Sequence, residues 1–115
     1  MTPGLIVLID WRDALAGSRE PNKIRPAIIV GCQRLYGSIL PFEMVVPLTS
    51  IAELAIAGVS LKILPSIENG CVRTCYALGW NAQVVPHARI TATQSRIEEK
   101  QLAMIRAQIA SCVER

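Results

Sequence analysis

The apolar residues of this chain come in short bursts, and proline or glycine cuts off most of them. Leu5-Ile6-Val7-Leu8-Ile9 is apolar throughout and stops at Asp10. A run of that length suits a buried strand and is far too short to cross a bilayer. Ala27-Ile28-Ile29-Val30 follows Pro26 and ends at Gly31. Proline fits a first strand position, where its missing N–H does least harm. Glu43-Met44-Val45-Val46-Pro47-Leu48 is a third strand, and Pro47 predicts that it ends near a sheet edge or at a bulge.

Weaker signals fill the rest. Gly17, Ser18, Pro21 and Asn22 mark residues 11–24 as loop. Residues 50–57 predict one or two helical turns, capped by Thr49 or Ser50 and stopped by Gly58. Val59-Ser60-Leu61-Lys62-Ile63 alternates and reads as a half-exposed strand. A strand over 72–80 would put Val72, Thr74, Tyr76, Leu78 and Trp80 on one face. Val84-Val85, extended by Ala88-Arg89-Ile90, is a last short strand. Then the character changes. Ser95 and Glu98 have the spacing of a capping box. Leu102, Ile105, Ile109 and Cys112 recur on one face of an amphipathic helix.

The pattern predicts a mainly β fold with a C-terminal helix, in which a small curled sheet or barrel is covered on one side. At 115 residues the chain is one domain, 1–115. Its apolar content of 51% against 18% charged excludes a disordered chain. No basic segment precedes the first apolar run, so a secretory signal is not expected. Cys32, Cys71, Cys75 and Cys112 in so apolar a chain predict reduced thiols in the cytoplasm rather than a disulfide scaffold. Cys71, Cys75 and His87 lack zinc-ligand spacing, so no metal and no cofactor is expected.

Antiparallel pairing of strand 27–30 with strand 44–48 would bring the start of one beside the end of the other. Arg25 and Thr49 would then share one end of the sheet. Strand 72–80, returning along 59–63, would add Asn81 and Ser50 to the same rim. The preceding loop carries Arg12, Arg19 and Lys23 against Asp13 and Glu20, with Trp11 beside them. Guanidinium and hydroxyl donors suit phosphate oxygens, and cations interleaved with an aromatic suit single-stranded nucleic acid. Composition alone leaves other readings open. The loop can be an ordinary solvated one, Arg25 a structural partner of Glu20 or Asp13, and Thr49 a simple cap. Ile51, Leu54, Ile56 and Val59 are numerous for a loop region, which predicts that some face a second copy of the chain.

The same residues carry a family likeness. Glu20-Pro21-Asn22-Lys23-Ile24-Arg25-Pro26-Ala27-Ile28-Ile29-Val30 resembles the R-P-A-hydrophobic-V segment of the MazF/PemK toxins. Gly4-Leu5-Ile6-Val7-Leu8-Ile9-Asp10 is similar to their opening strand, and Val46-Pro47-Leu48-Thr49-Ser50 to their V-P-L-T-S segment. Tyr76-Ala77-Leu78-Gly79-Trp80-Asn81 stands where they carry a late L-x-D-Q strand, and Ala88-Arg89-Ile90 resembles the exit of the next. The likeness runs through nearly the whole chain.

The resemblance implies an SH3-like small β-barrel of the MazF/PemK/CcdB kind, forming a homodimer and bound by a cognate antitoxin. It implies a metal-independent, sequence-selective endoribonuclease that cuts single-stranded mRNA and leaves a 2′,3′-cyclic phosphate. Carried over, Arg25 stabilises the phosphorane charge and donates to the leaving oxygen, Thr49 holds the scissile phosphate, and Ser50 assists. Leu5 and Trp80 stand where family members often carry acidic residues. That leaves Glu20 or His87 to act as general base. Arg12, Arg19, Lys23, Ser50, Asn81 and His87 are the candidate RNA-binding residues. The alternative is a non-catalytic barrel that binds RNA or a protein target, as a CcdB-like gyrase inhibitor does.

Overall fold

A continuous apolar strand needs cover on both faces, and the first strand has it. The computed structural model describes residues 1–11 and 24–114. β1 (Leu5–Asp10) sends Ile6 into one buried cluster and Val7 and Ile9 into another. β2 (Ile24–Ile29) and β3 (Phe42–Thr49) divide their residues in the same way. Ile28, Val46 and Leu48 join Ile6, while Ala27, Ile29 and Val45 join Val7. Two small cores on opposite faces of one sheet explain why these segments are apolar runs rather than alternating ones.

Four further strands follow: β4 (Leu61–Ile63), β5 (Cys75–Ala77), β6 (Gln83–Pro86) and β7 (Ile90–Arg96). The sheet runs β4-β5-β3-β2-β1-β7, with β6 also on β3, and its ladders are antiparallel. α1 (Glu99–Ser111) lays Leu102, Ile105 and Ile109 against the larger core, with Ile105 wholly buried. Arg106 Nε donates to Val30 O at 2.9 Å and ties the helix to the end of β2. The expected mainly β fold under one C-terminal helix is the observed one.

Several local expectations are corrected. Pro47 is neither at an edge nor at a bulge but inside β3, paired with Ala27. Met44 O accepts from Val30 N, so even-numbered β3 residues bond toward β2, and Pro47 turns its missing donor to the other side. There β6 has already ended at Val45 and β5 begins at Leu48. The proline occupies the changeover between two neighbours, where no ladder needs its N–H.

The strand expected over 72–80 is cut to Cys75–Ala77, because the chain must leave β5 and turn toward β6. It does so in a 3-10 turn over Gly79–Asn81. A Cβ on Gly79 would meet Val59 O at 3.1 Å and Gln108 Cβ at 3.4 Å, so glycine permits that close approach. The strand expected over 59–63 keeps only Leu61–Ile63. The expected turns in 50–57 shrink to a 3-10 turn, Ala52–Leu54, whose N-cap is Ile51 rather than Thr49 or Ser50. Residues 87–89 form a turn instead of extending a strand. Ser95 belongs to β7, which must reach Arg96 to pair with Leu5. The capping box therefore falls later, between Glu98 and Gln101, with Glu98 N–H donating to Gln101 Oε1 at 2.9 Å.

Candidate functional site

The β2–β3 ladder pairs Ala27 with Pro47, Ile28 with Val46 and Ile29 with Val45. Both strands continue past Ala27 and Pro47, to Ile24 and Thr49. Carried two residues on, the register sets Arg25 opposite Thr49. Across β3's other side Thr49 pairs with Tyr76, and Tyr76 in turn with Lys62. On β1 the partner of Arg25 is the buried Ile9. Directly opposed residues of antiparallel strands share a face. Thr49, Tyr76 and Lys62 thus form one row across three strands, and the extended β2–β3 register puts Arg25 at its end, for a span of about 15 Å at the usual strand spacing. Arg25 and Lys62 are exposed, and Thr49 and Tyr76 are half-buried.

Local sequence builds the row. Proline after Arg25 keeps that residue extended, and β2 exposes Ile24, Arg25 and Pro26 before burying Ala27, Ile28 and Ile29. At the other strand's end Thr49 Oγ1 accepts from Ile51 N at 3.1 Å. A hydroxyl that accepts there keeps its own hydrogen to donate elsewhere. Ser50 follows at an exposed bend. The row holds two cations, two hydroxyls and no carboxylate, which is a donor set for an anion.

Other expected members lie elsewhere. The residue level with Thr49 is Tyr76, the middle residue of β5, and not the finish of the expected 72–80 segment. Leu78 N donates to Pro47 O at 3.0 Å, so Asn81 lies beside the middle of β3. Its Oδ1 accepts from Gln83 Nε2 at 3.1 Å. Trp80 packs back toward the 51–59 segment, with Nε1 donating to Leu54 O at 3.0 Å. His87 is at the opposite end of β3, its Nε2 2.7 Å from Oε2 of the buried Glu43. Glu20, Arg12, Arg19 and Lys23 lie outside the described residues. Sequence reasoning did not place Tyr76 and Lys62 in line with Thr49. Alternation places each on an exposed face, but nothing local gives the register that aligns them with Arg25.

The thiols are in unlike surroundings. Burial, then the neighbouring Cys75, pushes the Cys71 thiol up to about 11. A hydrogen bond from the Arg34 side chain lowers that of the exposed Cys32. Among the described residues no group of three or more His, Cys, Asp or Glu side chains is placed to hold a metal. No described helix is long and apolar enough to cross a membrane.

Residues 2–113 match the family described as PemK-like, MazF-like toxin of type II toxin–antitoxin system. No curated protein sequence matches the chain. Among solved structures the chain is similar to MazF of Deinococcus radiodurans, with a TM-score of 0.71 at 18% identity, covering 96% of this chain and 94% of that one. It is similar to the Mycobacterium tuberculosis toxin MazF-mt6, with a TM-score of 0.68 at 16% identity over 96% and 95% of the two chains. A mycobacterial endoribonuclease solved with its cognate antitoxin gives a TM-score of 0.73 at 14% identity over 98% and 94%. At these identities the structural likeness speaks for the fold, and the family match extends over nearly the whole sequence. The chain belongs to the PemK-like, MazF-like toxin family of type II toxin–antitoxin systems.

Proposed function

We propose that the chain is a metal-independent endoribonuclease toxin that cuts single-stranded mRNA. The observation that carries this reading is the β2–β3 ladder, paired as far as Ala27 and Pro47, whose register extended by two residues brings Arg25 level with Thr49. In this reading a phosphodiester lies over the pair. The 2′ oxygen attacks the adjacent phosphorus, the bond to the 5′ oxygen breaks, and a 2′,3′-cyclic phosphate and a 5′-hydroxyl result. Glu20 takes the 2′ proton. Thr49 donates its hydroxyl hydrogen to a non-bridging oxygen, and Ser50 assists. Arg25 offsets the charge that gathers on the phosphorane. A guanidinium holds its protons too firmly to be a strong acid, so water supplies the proton of the leaving oxygen.

Arg12, Arg19, Lys23 and Asn81 hold the flanking RNA. The working form is a cytoplasmic homodimer. A cognate antitoxin with an acidic segment covers the basic rim and keeps the toxin silent.

A second reading has a specific observation in its favour. The row of Arg25, Thr49, Tyr76 and Lys62 contains no general base, which suits a barrel that grips RNA or a protein target such as gyrase without cutting. One experiment separates the two. Purified protein is incubated with a long single-stranded RNA in EDTA, and the 3′ ends are analysed. Discrete fragments ending in cyclic phosphate, lost in Arg25→Ala, support the nuclease. Intact RNA at high protein concentration supports the binding module.

A further inference from the structure

We propose that Tyr76 and Lys62 extend the Arg25–Thr49 site into a binding strip for single-stranded RNA. Tyr76 stacks a base next to the scissile phosphate, and Lys62 holds a neighbouring phosphate. The inference rests on the reading of Arg25 and Thr49 as an RNA-phosphate site and adds the residues that place the strand on it.

The geometry is that of the paired ladders. Thr49 pairs with Tyr76 across β3 and β5, and Tyr76 with Lys62 across β5 and β4. The order along the row is cation, hydroxyl, aromatic, cation. Channels for single strands combine those elements, since an aromatic takes a base of any sequence and the cations follow the backbone. Among the described residues neither the Tyr76 hydroxyl nor the Lys62 ammonium has a hydrogen-bond or ion-pair partner. Both groups are therefore open to an incoming ligand. Tyr76 is half-buried, so its ring is held at the edge of β5 rather than left to swing in solvent.

Lys62 also lines a cavity of about 330 Å³ whose wall carries Arg96 as well as Glu68 and Glu98.

The test uses short 2′-O-methyl oligoribonucleotides of random sequence, which lack the attacking hydroxyl, with binding read by fluorescence anisotropy over a range of salt. Tyr76→Ala is expected to weaken binding about 5- to 100-fold, while Tyr76→Phe binds within about twofold of wild type. Lys62→Ala is expected to reduce the slope of log K against log salt by about 0.7, the share of one phosphate on a single strand, and Lys62→Arg to restore it. A general loss of folding would not leave the Phe and Arg variants intact. In cleavage assays the two alanine variants raise KM, whereas Arg25→Ala lowers kcat. If Arg25→Ala loses cleavage while both alanine variants bind with wild-type affinity and slope, the strip is overturned and the nuclease reading stands. If the wild type neither binds nor cuts RNA, both are overturned.

Discussion

His87 Nε2 and Glu43 Oε2 meet at 2.7 Å, at the end of β3 away from Thr49. Six residue steps along an extended strand separate Glu43 from Thr49, or about 20 Å. Glu43 is almost wholly buried, and a buried carboxylate needs a partner. Gly37 packs over the pair, where an added Cβ would come within 2.7 Å of Glu43 Oε2. His87→Ala is expected to cost about 1–3 kcal/mol by leaving the carboxylate unpaired. Urea denaturation measures this. A variant as stable as wild type that has lost cleavage would show instead that the histidine serves the reaction.

The hydroxyl of Thr49 is asked to do more than fill space. Thr49→Ser keeps an oxygen that accepts from Ile51 N and donates outward. Thr49→Val keeps the shape and removes both. The serine variant is expected to cut RNA within about tenfold of wild type, and the valine variant to fall by about 10²–10³, the usual loss on deleting one donor to transition-state charge. Single-turnover cleavage at saturating enzyme reads the difference. Equal rates for the two variants would remove Thr49 from the mechanism.

A lysine is not a substitute for Arg25 if both phosphate oxygens are gripped at once. Arg25→Lys keeps the charge and loses the fork of donors. It is expected to retain much of the RNA affinity and to lose most of the cleavage rate. Anisotropy and single-turnover kinetics on the same preparation check the split. Wild-type cleavage by the lysine variant would show that charge alone suffices.

Ile105 is the one fully buried residue of α1 and packs into the larger core. Ile105→Ala is expected to cost about 2–5 kcal/mol. The midpoint of urea denaturation should fall accordingly. A loss under about 1 kcal/mol would mean that the helix contributes little to the core.

Thiol chemistry offers an independent check on local structure. The Arg34 side chain lowers the Cys32 thiol, so more of it is thiolate at neutral pH. Cys71 is raised to about 11, so its thiolate fraction there is very small. Iodoacetamide is expected to label Cys32 well before Cys71, with mass spectrometry giving the order. As pH rises toward 11, Cys71 labelling should accelerate more steeply than Cys32 labelling.

The strand cores of β1, β2 and β3 were legible because each contains a burst of apolar residues that no helix of that length would use. The face of α1 was legible from the spacing of Leu102, Ile105 and Ile109. The antiparallel pairing of β2 with β3, which directs Arg25 and Thr49 toward the same end of the ladder, was expected from strand order. β7 was not legible, since Ile90–Arg96 contains one large apolar residue and is a strand because β1 needs a partner on that side. The place of Asn81 was misread for a similar reason. The turn at Gly79–Asn81 exists because β3 changes neighbours at Pro47, and no residue near 80 announces that exchange.

The sequence by itself determined which segments are strands of the central sheet, where the helix lies and which cation and hydroxyl stand at the ends of adjoining strands. These follow from apolar periodicity and chain order, which are local properties. Tertiary structure alone decided that Tyr76 and Lys62 complete the row and that His87 is held away from it by Glu43. Register is set by the packing of two cores on opposite faces, and slipping a strand by one residue would send every side chain to the wrong core.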